Sequence, residues 1–132
     1  MTLFQHILIV EVGAPLRLGL LRQFARWGFA HVTAVETSGE ALAQAAACRP
    51  DLVVLSAPWA DSQESLNPAQ QLLARCGPVP VLVLVPETWQ LCPFPTSWPG
   101  IASSRCVPKP PTPEQLQHGV EQSLCVTLAE VA

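Results

Sequence analysis

Three apolar runs in this 132-residue chain end in residues able to do chemistry. Ile7-Leu8-Ile9-Val10 stops at Glu11-Val12, Leu52-Val53-Val54-Leu55 stops at Ser56, and Cys106-Val107 leads into Pro108-Lys109-Pro110. The inventory is a carboxylate, a hydroxyl and an ammonium. A serine hydroxyl is a poor nucleophile without an adjacent base, and no histidine lies near Ser56 in the sequence. Magnesium asks for several hard oxygen ligands in octahedral geometry, so one carboxylate and one hydroxyl give weak or absent binding. Asp61, in the stretch after Ser56, is the residue that could make up the deficit. Glu11 and Lys109 are complementary and able to form an ion pair.

The elements that must hold these groups read as alternating strands and helices. Residues 3–10 are almost continuously apolar, as strands covered on both faces are. Leu16, Leu20, Phe24 and Trp27 then recur at helical spacing, which predicts an amphipathic helix over 15–27, with Pro15 in its first turn and Gly28 at its end. Residues 31–35 form a second strand. Thr37 and Glu40 have capping-box spacing, a helix start that continues as an alanine-rich helix over 41–48, which Arg49-Pro50 stops. A third strand covers 52–55, a short helix 68–75 and a fourth strand 79–85.

Residues 86–104 carry four prolines together with Trp89, Phe94 and Trp98. Proline removes donors and clashes with the preceding helical turn, so this reads as a loop with at most one turn at 87–91. A brief fifth strand over 105–107 follows. Thr112-Pro113-Glu114-Gln115 is a well-formed helix start, with Leu116, Val120 and Leu124 facing inward; the residues from 126 onward extend that helix or fray. Five strands with short connections predict a parallel α/β sheet with right-handed crossovers. One domain spans residues 1–126, with 127–132 as a tail or helix extension.

Composition narrows the function. A net charge of −3 without a basic run gives no electrostatic reason to expect nucleic acid or an anionic membrane as partner. No stretch reaches the roughly 18 apolar residues of a membrane span, and the N-terminus lacks a signal-peptide pattern, so the expected location is the cytoplasm. The five cysteines include no C-x-x-C pair, which favours reduced thiols. His6, His31 and His118 are scattered, and no metal site is expected from them.

The order of these motifs resembles the response-regulator receiver domain over residues 5–125. Ile7-Leu8-Ile9-Val10-Glu11 resembles its first strand with the acidic end, and Ala34-Val35-Glu36-Thr37-Ser38-Gly39-Glu40 its second strand entering a helix. Arg49-Pro50-Asp51-Leu52-Val53-Val54-Leu55 resembles the entry to its acceptor strand, and Val107-Pro108-Lys109-Pro110 its lysine loop. The resemblance implies a flavodoxin-like three-layer sandwich around a five-stranded parallel sheet, with the fourth helix degraded to a Pro-rich loop. It also implies a cis Lys109–Pro110 bond. In that family an Asp accepts a phosphoryl group, acidic residues hold Mg²⁺, a Lys pairs with the phosphoryl oxygen, and a Ser or Thr reads the modified state. At these positions the chain has Ser56, Glu11 with Val12, Lys109 and Val85. The acceptor is gone, the acidic pair is halved and the switch hydroxyl is absent.

The resemblance therefore implies a pseudo-receiver in two-component or phosphorelay signalling of bacterial type. It would be no enzyme, need no cofactor, and meet another signalling protein or a second copy of itself. Trp89, Phe94 and Trp98 either pack the loop onto the sheet or present an interface, and Trp59 either covers the abandoned site or binds a ligand. An atypical receiver still responsive to a phosphodonor or to phosphate is the alternative. A flavodoxin-like enzyme or nucleotide binder is the third reading, with no G-x-G-x-x-G, P-loop or G-x-S-x-G to support it.

Overall fold

The structure, a computed structural model, describes residues 3–56, 79–86, 101–125 and 128. The expected helix at 68–75, the turn at 87–91, and Trp59, Asp61, Trp89, Phe94 and Trp98 lie outside the described residues.

Five strands, β1 (Leu3–Val10), β2 (Phe29–Val35), β3 (Leu52–Ser56), β4 (Val79–Pro86) and β5 (Ile101–Lys109), form one sheet in the order β2-β1-β3-β4-β5. All four pairings are parallel. Helices α1 (Ala14–Arg26), α2 (Ser38–Ala47) and α3 (Pro113–Leu124) complete the described elements. Residues of β1, β3 and β4 alternate between two cores. Leu8, Val10, Val53, Leu55 and Val83 pack with Ala41 of α2 and its half-buried Leu42 and Ala45. Ile7, Ile9, Val54 and Leu84 pack with Leu20 and Phe24 of α1 and Leu116 and Val120 of α3. The strands are thus apolar on both faces because helices cover both, and the three layers are those of a flavodoxin-like sandwich.

Local chemistry sets the helix ends. Pro15 sits in the first turn of α1, and Gly28 takes φ 96°, a left-handed conformation suited to glycine. Thr37 Oγ1 accepts the Glu40 N–H at 3.1 Å at the start of α2. Thr112 and Gln115 form the full reciprocal capping box of α3. At Gly119 a Cβ would lie 2.7 Å from Leu82 Cδ1, so α3 packs hard against β4 there. Phe24 is fully buried and meets Trp27 and Phe29 edge-to-face at 5.5 and 5.6 Å.

Several boundaries differ from the sequence reading. β2 begins at Phe29 rather than at residue 31, whereas α2 begins at Ser38, directly after the expected cap Thr37. β5 runs Ile101–Lys109, longer than 105–107, and takes in the end of the segment read as proline-rich loop. It is an edge strand paired with β4 alone, and an edge tolerates Pro108 and polar residues that a central strand does not. α3 ends at Leu124, where Cys125 adopts φ 55°, and Leu128 is buried, its N–H donating to Glu121 Oε2 at 2.7 Å. The Lys109–Pro110 bond is cis.

Candidate functional site

The strand order reverses between β1 and β3, the kind of position at which ligands bind in open α/β sheets. Val10 pairs with Leu55, so Glu11 and Ser56 follow at the carboxyl ends of these neighbouring strands. Ser56 pairs with Leu84 of β4, and the next residue there, Val85, pairs with Pro108. Lys109 closes β5 opposite Pro86.

Glu11 is only 2% exposed, an expensive place for a carboxylate unless it is paired. Its Oε1 accepts the Gly13 N–H at 2.9 Å, and Lys109 Nζ lies 3.4 Å from Oε1 and 3.2 Å from Oε2. Oε2 has the ammonium as counter-charge but no well-directed hydrogen bond. Arg17 fixes the turn from outside. Its Nη1 donates to the Glu11 and Val12 carbonyls at 3.0 and 3.3 Å, and Nη2 bridges to Glu36 Oε1 at 3.2 Å. One guanidinium therefore ties the β1–α1 turn to the end of β2.

The Ser56 hydroxyl is different. The residue is 2% exposed, and its Oγ has no hydrogen-bond partner among the described residues. Buried polar groups nearly always find one, so an orphan at a strand end stands out. Val12, at the second position of the acidic pair, is 63% exposed and contributes no polar side chain.

These donors do not fit a resident Mg²⁺. They amount to one carboxylate engaged by an ammonium and an amide, and one neutral hydroxyl, against a need for several hard anionic oxygens. Among the described residues no group of three or more His, Cys, Asp or Glu is placed to hold a metal ion. Among them none hydrogen-bonds to Ser56 Oγ as the base of a serine nucleophile would.

Glu11, Ser56 and Lys109 thus meet at one end of the sheet, and Val85 lies alongside in β4. The roles of Arg17, Gly13 and Glu36 were not anticipated. Arg17 reads in the sequence as an ordinary polar residue between the apolar positions of a helix. The available signal was Gly13, two residues after the carboxylate at the N-cap of α1, where unpaired amides point outward. A second buried polar group, His6, sits at the opposite end of the sheet. Its Nδ1 faces the Arg49 carbonyl at 3.4 Å and its Nε2 faces Thr33 Oγ1 at 3.2 Å, while its backbone exchanges hydrogen bonds with Asp51.

Comparison with known proteins bears on this geometry. No family model matches the sequence, and no curated protein matches it. Solved structures do. The receiver domain of the Erythrobacter litoralis PhyR response regulator superposes with a TM-score of 0.72 at 19% identity, covering 98% of this chain and 96% of that one. The fold is that of a response-regulator receiver domain. The receiver domain of a Pseudomonas aeruginosa sensor histidine kinase, with magnesium coordinated in its active-site cleft, matches with a TM-score of 0.69 at 19% identity over 94% and 100% of the two chains. The signal receiver domain of a modulated diguanylate cyclase from Desulfovibrio desulfuricans matches with a TM-score of 0.69 at 21% identity over 92% and 94%. Among the described residues no helix is long and apolar enough to cross a membrane.

Proposed function

We propose that this chain is a pseudo-receiver, a signalling module of receiver fold whose state is set by a protein partner instead of by phosphorylation of its own strand end. One observation carries the reading: Lys109, where a receiver holds the lysine that pairs with the phosphoryl group, is paired 3.2 Å from Glu11, and the acceptor position holds Ser56. An internal ion pair replaces a bond to an added phosphoryl, so the site is already charge-balanced. A neutral hydroxyl lacking a base does not attack an acyl phosphate at a useful rate, and the remaining carboxylate does not assemble the metal that would assist. The module then acts in two-component or phosphorelay-type signalling by binding, as a non-enzymatic domain, in a cytoplasmic setting. Trp89, Phe94 and Trp98 of the segment after β4 are candidate contacts for another signalling protein or for a second copy.

The test is exposure to acetyl phosphate, and separately to beryllium fluoride, each with Mg²⁺, read by intact mass and by amide NMR. Unchanged mass and unchanged resonances around Glu11, Ser56 and Lys109 are expected. A phospho-adduct or shifts localised to those residues favours the responsive receiver instead. Lys109→Ala should leave partner affinity nearly unchanged if the old site is purely structural.

A further inference from the structure

The two edges of the sheet are built differently. β5 carries Arg105, Pro108 and Lys109, and charge and proline are what keep an edge from pairing with another chain. β2 has neither: Phe29-Ala30-His31-Val32-Thr33-Ala34-Val35 holds no proline and no Asp, Glu, Lys or Arg. It pairs with β1 alone. Where its register shifts, the span from Leu3 to His6 on β1 faces the shorter span from Phe29 to His31, so the extra residue belongs to β1. From His31 to Val35 the register is continuous.

Backbone direction follows from one bond. Val35 pairs with Val10, and its carbonyl accepts the Glu11 N–H at 3.0 Å, so Val35 turns its backbone groups toward β1. Alternate residues of a paired strand do the same. Thr33 therefore faces β1 as well, and Val32 and Ala34 present N–H and C=O outward. Helices cover both faces of β2, with Val32 and Ala34 packed on the α1 side and Val35 on the α2 side. The edge between those faces has no strand partner among the described residues. Read from either end, β2 gives an apolar residue, an alanine, a hydrogen-bonding residue and then Val32.

We infer that β2 is the joining edge of a homodimer, in which a second copy adds its own β2 antiparallel about a two-fold axis at Val32. Val32 and its counterpart then exchange both backbone hydrogen bonds, Ala34 lies opposite Ala30, and His31 lies opposite Thr33. No charged residue meets another along the join, and each helix layer stays on its own face of the extended sheet. The contact is isologous, each residue's counterpart lying in the same segment. That two-way symmetry of the residues is what selects a second copy over a strand of another protein. Moving the axis one residue either way sets the end of the strand against Thr37 or Trp27, both outside β2. An edge pairing alone is small beside the roughly 1,200 Å² of a standard interface, so the dimer is concentration-dependent.

Sedimentation equilibrium of the full chain between about 10 μM and 1 mM should show monomer passing to dimer. Amide exchange at the two ends of that range should find Val32 and Ala34 fast when dilute and protected when concentrated, with Thr33 and Val35 protected throughout. NMR on a mixture of labelled and unlabelled chains should show an Hα–Hα contact between His31 of one copy and Thr33 of the other, the close pair of this register. Ala34→Pro removes only an outward donor, which an edge strand tolerates. It should keep the native circular dichroism and weaken dimerisation by roughly tenfold or more. If that variant does not fold, the exchange and mixed-label readings on the native chain decide alone. Four results overturn the inference: a monomer at every concentration, a dimer in which Val32 and Ala34 stay fast, a folded Ala34→Pro chain of undiminished self-affinity, or growth past the dimer. None of them touches the pseudo-receiver reading, which the phosphodonor experiment decides.

Discussion

At the amino end of the sheet His6 has a partner for every polar atom, whereas at the carboxyl end Ser56 has none for its hydroxyl among the described residues. Both residues are more than nine-tenths buried. The Arg49 carbonyl can only accept, so a neutral His6 carries its proton on Nδ1 and the Thr33 hydroxyl donates to Nε2. Asp51 Oδ2 takes the His6 N–H at 2.7 Å, doing for β1 what a strand carbonyl would. The amino end is finished as structure. The carboxyl end pairs one carboxylate with one ammonium and leaves a hydroxyl unspent, at the edge of the sheet where this fold places its sites. Buried polar groups at the two ends are thus treated differently: a fully partnered imidazole at one, and at the other an ion pair beside a hydroxyl with no partner among the described residues.

The contrast can be broken by substitution. The largest effect is expected from Lys109→Met, which leaves the buried Glu11 carboxylate without its counter-charge and should cost about 3 kcal/mol in urea unfolding. Adding Glu11→Gln should recover much of that loss, the signature of a coupled pair; two simply additive losses would show that the ions do not depend on each other. Next comes Asp51→Ala, which strips the acceptor from a buried backbone N–H and should cost about 2 kcal/mol. Thr33→Val should cost about 1 kcal/mol by removing the Nε2 partner of His6. Smallest is Ser56→Ala, expected within about 0.5 kcal/mol of neutral or slightly stabilising, because an orphan hydroxyl is lost. A loss at Ser56→Ala equal to that at Thr33→Val would erase the difference between the two ends.

How much of this the sequence discloses depends on how many neighbours each element has. β1, β3 and β4 lie inside the sheet and are covered on both faces, so their apolar runs announce them almost to the residue. The capping Thr37 and Thr112 are equally legible, because a helix start is a local problem. β2 and β5 are edges. Each is paired on one side only, so Phe29 and the residues from Ile101 escaped a reading based on apolar runs. At the site, the gathering of Glu11, Ser56 and Lys109 was expected from the resemblance to the receiver domain. The Arg17 contacts did not, because they depend on where one turn of a helix falls relative to the carbonyls of a bend. The orphan state of the Ser56 hydroxyl is likewise a property of three-dimensional surroundings and has no sequence signal.

The Glu11–Lys109 contact joins residues 98 positions apart in a 132-residue chain. Closing so long a loop comes after local helices and neighbouring strands have formed. The pair should then be absent from the folding transition state, and cutting it should leave the folding rate nearly unchanged while accelerating unfolding. A buried ion pair at the carboxyl end of the sheet therefore behaves in time as a latch on the finished domain, lengthening how long each molecule stays closed.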